Sequence, residues 1–292
     1  MHEWAPAGVR FCMITGEGLH DGRMSTIVFF HAHPDDEASA TSGSIMRAVE
    51  EGHRVVVVFA TDGDHGDVPD DLAEGETLVD RRHREAEASA RVTGAHRVVW
   101  LGYRDSGMTG WQQNDDAGCF HAADLLEAAT RLSAVLDEED ADVLVGYDWH
   151  GGYGHPDHIK VHHVAHRAVE LARRRPKLWE STPNRDNMRA LFEAAKAAGM
   201  EEDWDPDAPA DDGNPFGTVE SEIDVQVDVS AYLDRKRQAL ACHISQVSDI
   251  GMMLSMPPEV FAMMFGQEHY IDPDHKPADD SDAPRMRAGW IL

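Results

Sequence analysis

Cysteine is scarce in this chain: three of the 292 residues are cysteines, at positions 12, 119 and 242. Thiols this few and this far apart exclude a disulfide-based scaffold and a metal site built on paired cysteines. Chains without either feature are typical of a reducing compartment. The cysteine content therefore predicts a cytoplasmic protein.

Long hydrophobic runs and positive charge are lacking as well. No apolar run approaches the ~20 residues that a membrane-spanning helix needs, and no basic region followed by a hydrophobic stretch stands at the N-terminus. Basic residues number 26 against 54 acidic ones, which gives a formal net charge of −28. Such a surface repels both a phosphate backbone and an anionic bilayer. We therefore expect neither nucleic acid nor a membrane as a partner.

Short apolar runs alternate with amphipathic patterns along the first two thirds of the chain. The predicted strands are 26–32, 54–61, 97–101 and 142–147, and the predicted helices are 39–51, 77–93, 122–139 and 156–174. Strands this apolar, separated by helices of this length, are typical of a sheet that is covered on both faces. The pattern predicts an α/β fold, a Rossmann-like three-layer sandwich with a mostly parallel sheet.

Composition divides the chain into four expected parts. These are a flexible N-terminal extension at 1–23, the Rossmann-like core at 24–200, a smaller C-terminal α+β portion at 201–272 that completes the site, and an acidic, proline-containing tail at 273–292. In the α+β portion we expect a half-exposed strand at 218–229 and a helix at 232–246. The methionine-dense segment at 252–264 suits core or subunit packing, or a flexible pocket wall. The oligomeric state stays open, with a homo-oligomer among the alternatives.

The first strand runs directly into Ala32-His33-Pro34-Asp35-Asp36-Glu37. This is the carboxyl end of the strand, where open parallel sheets bind their ligands. The proline has a fixed φ and restricts the preceding histidine to an extended conformation. Two adjacent carboxylates at such a turn point in different directions. One of them can therefore bind a metal ion while the other stays free as a base.

The fourth strand leads into a similar cluster, Gly151-Gly152-Tyr153-Gly154-His155-Pro156-Asp157-His158. Its glycines let the backbone approach a ligand closely, and its proline suits the first position of a helix, so that His158 lies in the first turn. Catalytic zinc usually has three His or carboxylate ligands plus a water. His33, one of the two aspartates 35 and 36, and His158 would complete such a set, and the spacing leaves the choice of aspartate open.

Together the two clusters resemble the LmbE-like (PIG-L) zinc N-deacetylases. The resemblance covers about residues 26–271, and its later motifs are similar to the actinobacterial branch that acts in mycothiol metabolism. These later motifs are Arg82 with Glu85, Tyr103-Arg104-Asp105-Ser106-Gly107, His243 and Glu268-His269-Tyr270. One departure concerns the loop after the second strand, where many relatives carry Gly-Glu and this chain has Gly63-Asp64. The shorter acid has a different reach toward a bound substrate.

The resemblance implies a metal-dependent hydrolysis. It makes His33, Asp36 and His158 the metal ligands and Asp35 the general base. The metal would lower the pKa of its water from near 16 toward about 7 and polarise the acyl carbonyl. Zinc is the expected cofactor, with Fe²⁺, Mn²⁺ and Co²⁺ as alternatives because His and Asp ligands suit several of these ions.

The resemblance also suggests roles around the metal. His155 or Tyr153 would help to stabilise the oxyanion, and Asp35 or His155 would donate a proton to the departing amine. Asp157 would orient His155 and support its charge. The expected substrate contacts are Arg82, Asp105 and His243.

The expected reaction removes the N-acetyl group from an N-acetylglucosaminyl compound, a small amino-sugar molecule such as GlcNAc-inositol. The nearest alternative is cleavage of a larger amide, as in the mycothiol S-conjugate amidases. A nucleotide-binding module would need a glycine-rich phosphate turn after the first strand, where this chain has two acids. A catalytically idle metal-binding protein would not require a free base and an acid beside the ligands.

Overall fold

The computed structural model describes residues 24–197, 205–210, 212–275 and 285–292. The extension expected at 1–23 and residues 276–284 of the tail expected at 273–292 lie outside the described residues. Within them, no helix is long and apolar enough to cross a membrane.

Eight strands form one sheet, in the order β3-β2-β1-β4-β5-β7-β6-β8, among the residues that the structure describes. Their bounds are β1 Thr26–His31, β2 Arg54–Thr61, β3 Arg97–Tyr103, β4 Val143–Tyr147, β5 Lys177–Thr182, β6 Val225–Asp228, β7 Gln267–Ile271 and β8 Arg287–Ala288. Strand β7 is antiparallel to both of its neighbours, and every other pairing is parallel. The predicted α/β class with a mostly parallel sheet is confirmed.

The described helices alternate with the strands in the first part of the chain and cluster near its end. They are α1 Ser42–Glu50, α2 Leu78–Thr93, α3 Leu125–Glu138, α4 Pro156–Leu171, α5 Arg185–Ala197, α6 Leu233–Leu240, α7 Asp249–Ser255 and α8 Pro258–Phe265. A π-helical turn, Glu37–Thr41, precedes α1. Helix α2 begins at a capping box formed by Thr77 and Asp80, which satisfies backbone N–H groups at its first turn.

Successive residues of β1 face opposite sides of the sheet, and both sides are buried. Val28 and Phe30 pack with α3 and α4, while Ile27 and Phe29 pack with α1 and α2. This arrangement is the physical reason why the strand is apolar without alternation. The three-layer sandwich predicted from the sequence is therefore present.

The C-terminal strands extend the sheet of the core. Strand β7 pairs with β5 on one side and with β6 on the other. The half-exposed strand expected at 218–229 is shorter in the structure, Val225–Asp228, because a 3-10 turn at Glu220–Glu222 precedes it. The helix expected at 232–246 ends at Leu240, and a 3-10 turn follows. Strands β5 and β7 and helix α5 had no counterpart among the predictions.

Candidate active site

The two histidine clusters meet because β1 and β4 are adjacent parallel strands. Ile27 of β1 pairs with Val143 of β4, so both strands end at the same edge of the sheet. The loop after β1 carries His33, and the loop after β4 leads into α4, whose first turn carries His158. The imidazole rings of these two residues lie 5.4 Å apart between centroids.

Asp36 lies between the two histidines. Its Oδ2 accepts a hydrogen bond from the His33 backbone N–H at 2.8 Å and lies 3.5 Å from His33 Nδ1. Its Oδ1 lies 3.4 Å from His158 Nε2. All three side chains are largely buried, with exposed fractions of 10% for His33, 16% for Asp36 and 7% for His158. Two imidazoles therefore face the two oxygens of one carboxylate.

The His158 ring is oriented by the loop behind it. Its Nδ1 lies 3.1 Å from the carbonyl oxygen of Gly151, which can only accept, so Nδ1 carries the proton. In the neutral ring the lone pair is therefore on the buried Nε2, which makes no hydrogen bond among the described residues and faces Asp36 Oδ1 at 3.4 Å. Gly151 has φ +64°, and a Cβ there would lie 2.2 Å from the His158 Cβ. A glycine is required at this position.

These donors fit a divalent metal ion. Ligand atoms at about 2.0–2.2 Å from a tetrahedral ion lie about 3.4 Å from one another, close to both Asp36–histidine separations. The unpartnered Nε2 of His158 supplies the lone pair that such an ion requires. One nitrogen each from His33, His155 and His158 also lies within 4.8 Å of the other two. The described residues thus include a His/Asp group that could hold a metal.

Two carboxylates face the other side of the His33 ring. Its Nε2 lies 3.2 Å from Asp157 Oδ2 and 3.5 Å from Asp105 Oδ1. Burial alone lowers the pKa of His33, but the charges and hydrogen bonds of Asp105, Asp157 and Asp36 outweigh it and raise that pKa well above the usual value. Nε2 therefore carries a proton directed at Asp157 and Asp105, and Nδ1 is the nitrogen on the Asp36 side, which gives up its own proton when it binds a metal.

Asp35 is held in a strained backbone conformation with φ 131°, in the region that favours glycine. Its Oδ2 accepts a hydrogen bond from Arg82 Nη2 at 3.0 Å. Burial raises the pKa of Asp35 to about 6, since the attraction of Arg82 only partly offsets the desolvation and the neighbouring Asp36 adds to it. The turn after β1 thus carries Asp36, which faces both histidines, and beside it a second carboxyl, Asp35, whose pKa is elevated.

Arg82 ties Asp35 to two loops. Besides the carboxylate, it donates to the carbonyl oxygens of Pro34 at 2.6 Å and Gly63 at 2.8 Å, and 3% of its side chain is exposed.

Asp105, the other predicted sugar contact, is also buried and accepts a hydrogen bond from the Gly107 backbone N–H at 2.8 Å. Asp64, the shorter acid in the loop after β2, accepts the Asp105 backbone N–H at 2.8 Å.

His155 is the N-cap residue of α4. Its Nδ1 accepts the Asp157 backbone N–H at 3.1 Å, so a neutral ring carries its proton on Nε2. Burial and the nearby His33 and His158 lower the pKa of His155 to about 3. The Tyr153 ring packs edge-on against His158, with centroids 4.9 Å apart. His155 is therefore a neutral hydrogen-bond donor at the edge of the metal-binding group.

Two predicted contacts differ from the structure. Asp157, expected to orient His155, does so through its backbone N–H, which His155 Nδ1 accepts. The Asp157 carboxylate bonds to His33 instead and accepts from the backbone N–H and hydroxyl of Ser106. His243, expected to contact substrate, is fully buried with its Nε2 2.7 Å from Glu37 Oε1. The cause is the tight packing of the late helices, since α6 and the turn that carries His243 lie against α2.

Glu37 and Ser106 are site residues to which no role was predicted. Glu37 accepts the Asp35 backbone N–H at 3.0 Å and contacts Ser89 and His243, so it supports the strained turn from behind. Glu37 follows Asp36 in the motif after β1, and Ser106 follows Asp105 in the motif after β3. Their position directly after Asp36 and Asp105 was the available signal.

Comparison with known proteins agrees with this geometry. The PIG-L family, described as GlcNAc-PI de-N-acetylase, matches residues 28–169. The chain is 37% identical over 241 residues to a protein of Thermobispora bispora named 1D-myo-inositol 2-acetamido-2-deoxy-alpha-D-glucopyranoside deacetylase, with 76% of this chain and 79% of the relative covered. It is 34% identical over 283 residues to the protein of the same name in Thermobifida fusca, with 85% and 96% covered.

A solved structure supports the fold. The N,N'-diacetylchitobiose deacetylase of Pyrococcus horikoshii matches with a TM-score of 0.54 and 19% sequence identity, over 85% of this chain and 84% of that one. The resemblance predicted from the two histidine clusters is confirmed by the identity over most of the chain. This chain therefore belongs to the PIG-L family of de-N-acetylases.

Proposed function

We propose that this chain hydrolyses the N-acetyl group of an N-acetylglucosaminyl-inositol. The support is twofold: relatives with that named activity match over most of the chain, and the site combines a metal-binding group with a separate carboxyl of raised pKa. The observation that carries the proposal is the unpartnered His158 Nε2 opposite Asp36, with Asp35 one residue away on the strained turn.

The metal ligands in this proposal are His33 Nδ1, an oxygen of Asp36 and His158 Nε2. Zinc is our proposed ion, since two imidazoles and one carboxylate are a common catalytic zinc set. When bound, such an ion polarises the acyl carbonyl and makes water a stronger acid. Asp157 and Asp105 hold the proton on His33 Nε2 and so direct the opposite nitrogen of that ring toward the ion.

Asp35 is the proposed general base. Its carboxyl has a raised pKa because of burial, which makes it a better proton acceptor than an exposed aspartate at neutral pH. Arg82 and the backbone contact to Glu37 keep it in place. After taking a proton from water, Asp35 is the group that can return it to the departing amine, because His155 with a pKa of about 3 has no second proton to give.

His155 is the proposed donor to the developing oxyanion. Its Nε2–H needs no protonation to donate, so it stabilises charge on the carbonyl oxygen while the ring stays neutral. Tyr153 packs beside the same rings and is the alternative donor. Arg82 and Asp105 are the proposed contacts to the sugar hydroxyls. They would make these contacts in addition to the hydrogen bonds that they now form with Asp35 and Gly107.

The decisive experiment measures acetate release from GlcNAc-inositol, beside free N-acetylglucosamine and a mycothiol S-conjugate, by the zinc-loaded chain. We expect the highest kcat/KM for GlcNAc-inositol. Asp35→Asn should lower kcat by about 10²-fold or more while the metal content is retained, within the range for a lost general base. Faster cleavage of the conjugate would favour the amidase alternative. Full activity in Asp35→Asn would remove that residue from the mechanism.

We place this reaction in the cytoplasm because cysteine is scarce in the chain, which is typical of proteins in a reducing compartment.

A further inference from the structure

A second group of metal-ligand side chains lies farther along α4, outside the active site. His162 and His166 are four residues apart on this helix and therefore face the same side, one turn above the other. Their rings lie 4.4 Å apart between centroids. Glu180 of β5 completes the group, with its Oε1 3.2 Å from His162 Nδ1 and 2.6 Å from His166 Nε2.

The packing of α4 on the sheet brings these side chains together. Gly146 of β4 lies under the helix, where an added Cβ would come within 3.0 Å of the Ala165 Cβ. Glu180 is the residue of β5 that pairs with Gly146, so its side chain emerges beside this close approach. The absence of a side chain at Gly146 lets two successive turns of α4 reach the carboxylate from above.

Burial of the ionised Glu180 carboxylate costs desolvation free energy unless a cation lies beside it. The residue is 7% exposed, and a buried ionised carboxylate requires a positive partner. No lysine or arginine contacts it among the described residues, and both of its partners are imidazoles. Either protons on the imidazoles or a metal ion must supply the positive charge.

The donor set and its dimensions suit a transition metal ion. Two imidazole nitrogens and one carboxylate oxygen are ligands that Zn²⁺ and its neighbours accept, with a fourth position left for water. His162 Nδ1 also lies 3.2 Å from the Tyr147 carbonyl oxygen, so an ion bound there takes the place of the proton that Nδ1 shares with this carbonyl and with Glu180. All three ligand atoms lie within 4.8 Å of one another. The present separations of 2.6 and 3.2 Å to Glu180 Oε1 are hydrogen-bond distances, and they would widen to about 3.4 Å around an ion. The two side chains on the helix are 16% and 40% exposed, so an ion can enter from solvent.

We propose that His162, His166 and Glu180 bind one divalent transition metal ion, of the zinc type, at a second site that shares no ligand with the active site. The ion links α4 to β5. Helix α4 also carries His158 in its first turn, so the link anchors the helix that presents this active-site histidine.

Metal stoichiometry tests the proposal. The chain is loaded with zinc, freed of excess ion by buffer exchange, and its metal content per chain is measured. His166→Ala should contain one equivalent less than the wild type. His163→Ala is the matched control, because His163 lies exposed on the same helix and should leave the stoichiometry unchanged. Alanine favours the helix, and circular dichroism verifies folding. Equal zinc content in wild type and His166→Ala would overturn the proposal.

A thermal measurement separates this site from the active site. In His158→Ala, which lacks an active-site ligand, added zinc should still raise the Tm, because an ion that binds the folded state alone stabilises it. In His158→Ala combined with Glu180→Gln, the zinc-dependent rise should be lost. Glutamine keeps the shape of the side chain and removes its charge. An equal rise in both variants would show that the stabilising ion binds elsewhere.

Discussion

At the scale of single residues, the active site depends on which nitrogen or oxygen each side chain presents. The Gly151 carbonyl determines the tautomer of His158, and the carboxylates of Asp157 and Asp105 determine that of His33. The two rings thereby direct lone pairs toward Asp36. Neighbours that are not ligands therefore decide whether the metal-binding group is formed.

The Asp157 contact leads to a prediction on metal affinity. Asp157→Asn removes the negative charge behind His33 Nε2, and loss of such a support typically weakens metal binding by about 10–100-fold. Competition with a chromophoric chelator measures the affinity. Asp115→Asn, a change at an exposed aspartate, is the control. Unaltered affinity in Asp157→Asn would mean that His33 needs no anionic partner.

Arg82 offers a test between positioning and substrate binding. It donates to Asp35 and to two loop carbonyls, so Arg82→Met should lower kcat by about 10-fold or more through a misplaced base, with a smaller change in KM. Arg82→Lys keeps the charge and should recover part of kcat. A raised KM with unchanged kcat in Arg82→Met would instead identify a substrate contact.

At the scale of secondary-structure elements, β7 carries buried titratable residues inside the sheet, between β5 and β6. Glu268 forms a buried ion pair with Lys236 and accepts the backbone N–H groups of Gly43 and Ser44 at the start of α1. His269 is buried, and its Nε2 has no hydrogen-bond partner within the described ranges. Strand β7 therefore connects the C-terminal portion to the core through side-chain polar contacts as well as through its backbone hydrogen bonds to β5 and β6.

His269 makes stability depend on pH. Burial lowers its pKa to about 4, which the charge of Glu268 only partly opposes. Between about pH 6.5 and pH 4 the unfolded chain binds the proton that the folded chain excludes, so stability is lost as the pH falls through this window. Between pH 8 and pH 5, the free energy of unfolding of His269→Gln should fall by about 2 kcal/mol less than that of the wild type, as measured by urea unfolding. His65→Gln is the control and should keep the pH dependence of the wild type. If His269→Gln keeps it as well, the assignment to His269 is wrong.

At the scale of the whole molecule, the proposed active-site metal connects segments that are far apart in sequence. His33 and Asp36 follow β1, whereas His158 lies more than a hundred residues later on α4. An ion held by both segments binds the folded chain and not the unfolded one. It therefore adds its binding free energy to the stability of the entire fold.

Chelation should accordingly lower the Tm of the metal-loaded chain. An ion present at 1,000 times its dissociation constant adds about 4 kcal/mol, which corresponds to a shift of about 8–16 °C for a domain of this size. Differential scanning calorimetry with and without a chelator measures the shift, and added zinc should restore the original Tm. A metal-loaded chain whose Tm is insensitive to chelation would argue against a shared ion.

Much of the core fold could be predicted from the sequence, because each apolar run is long enough to identify a strand and each amphipathic run a helix. The same holds for the positions of His33 and His158, since residues at the carboxyl ends of parallel strands share one edge of the sheet. Strand β7 could not be predicted in the same way. Its segment Gln267–Ile271 contains polar and charged residues whose burial depends on partners such as Lys236 and Ser44, which lie far away in sequence.

The partner of each charged group was decided by tertiary packing alone. From the sequence, Asp157 was assigned to His155 and His243 to the substrate, whereas the folded chain pairs them with His33 and Glu37. The order of residues shows which side chains reach an edge of the sheet. Which of them touch there depends on distances of a few ångströms between loops and helices, and these distances exist only once the separate elements have packed against one another.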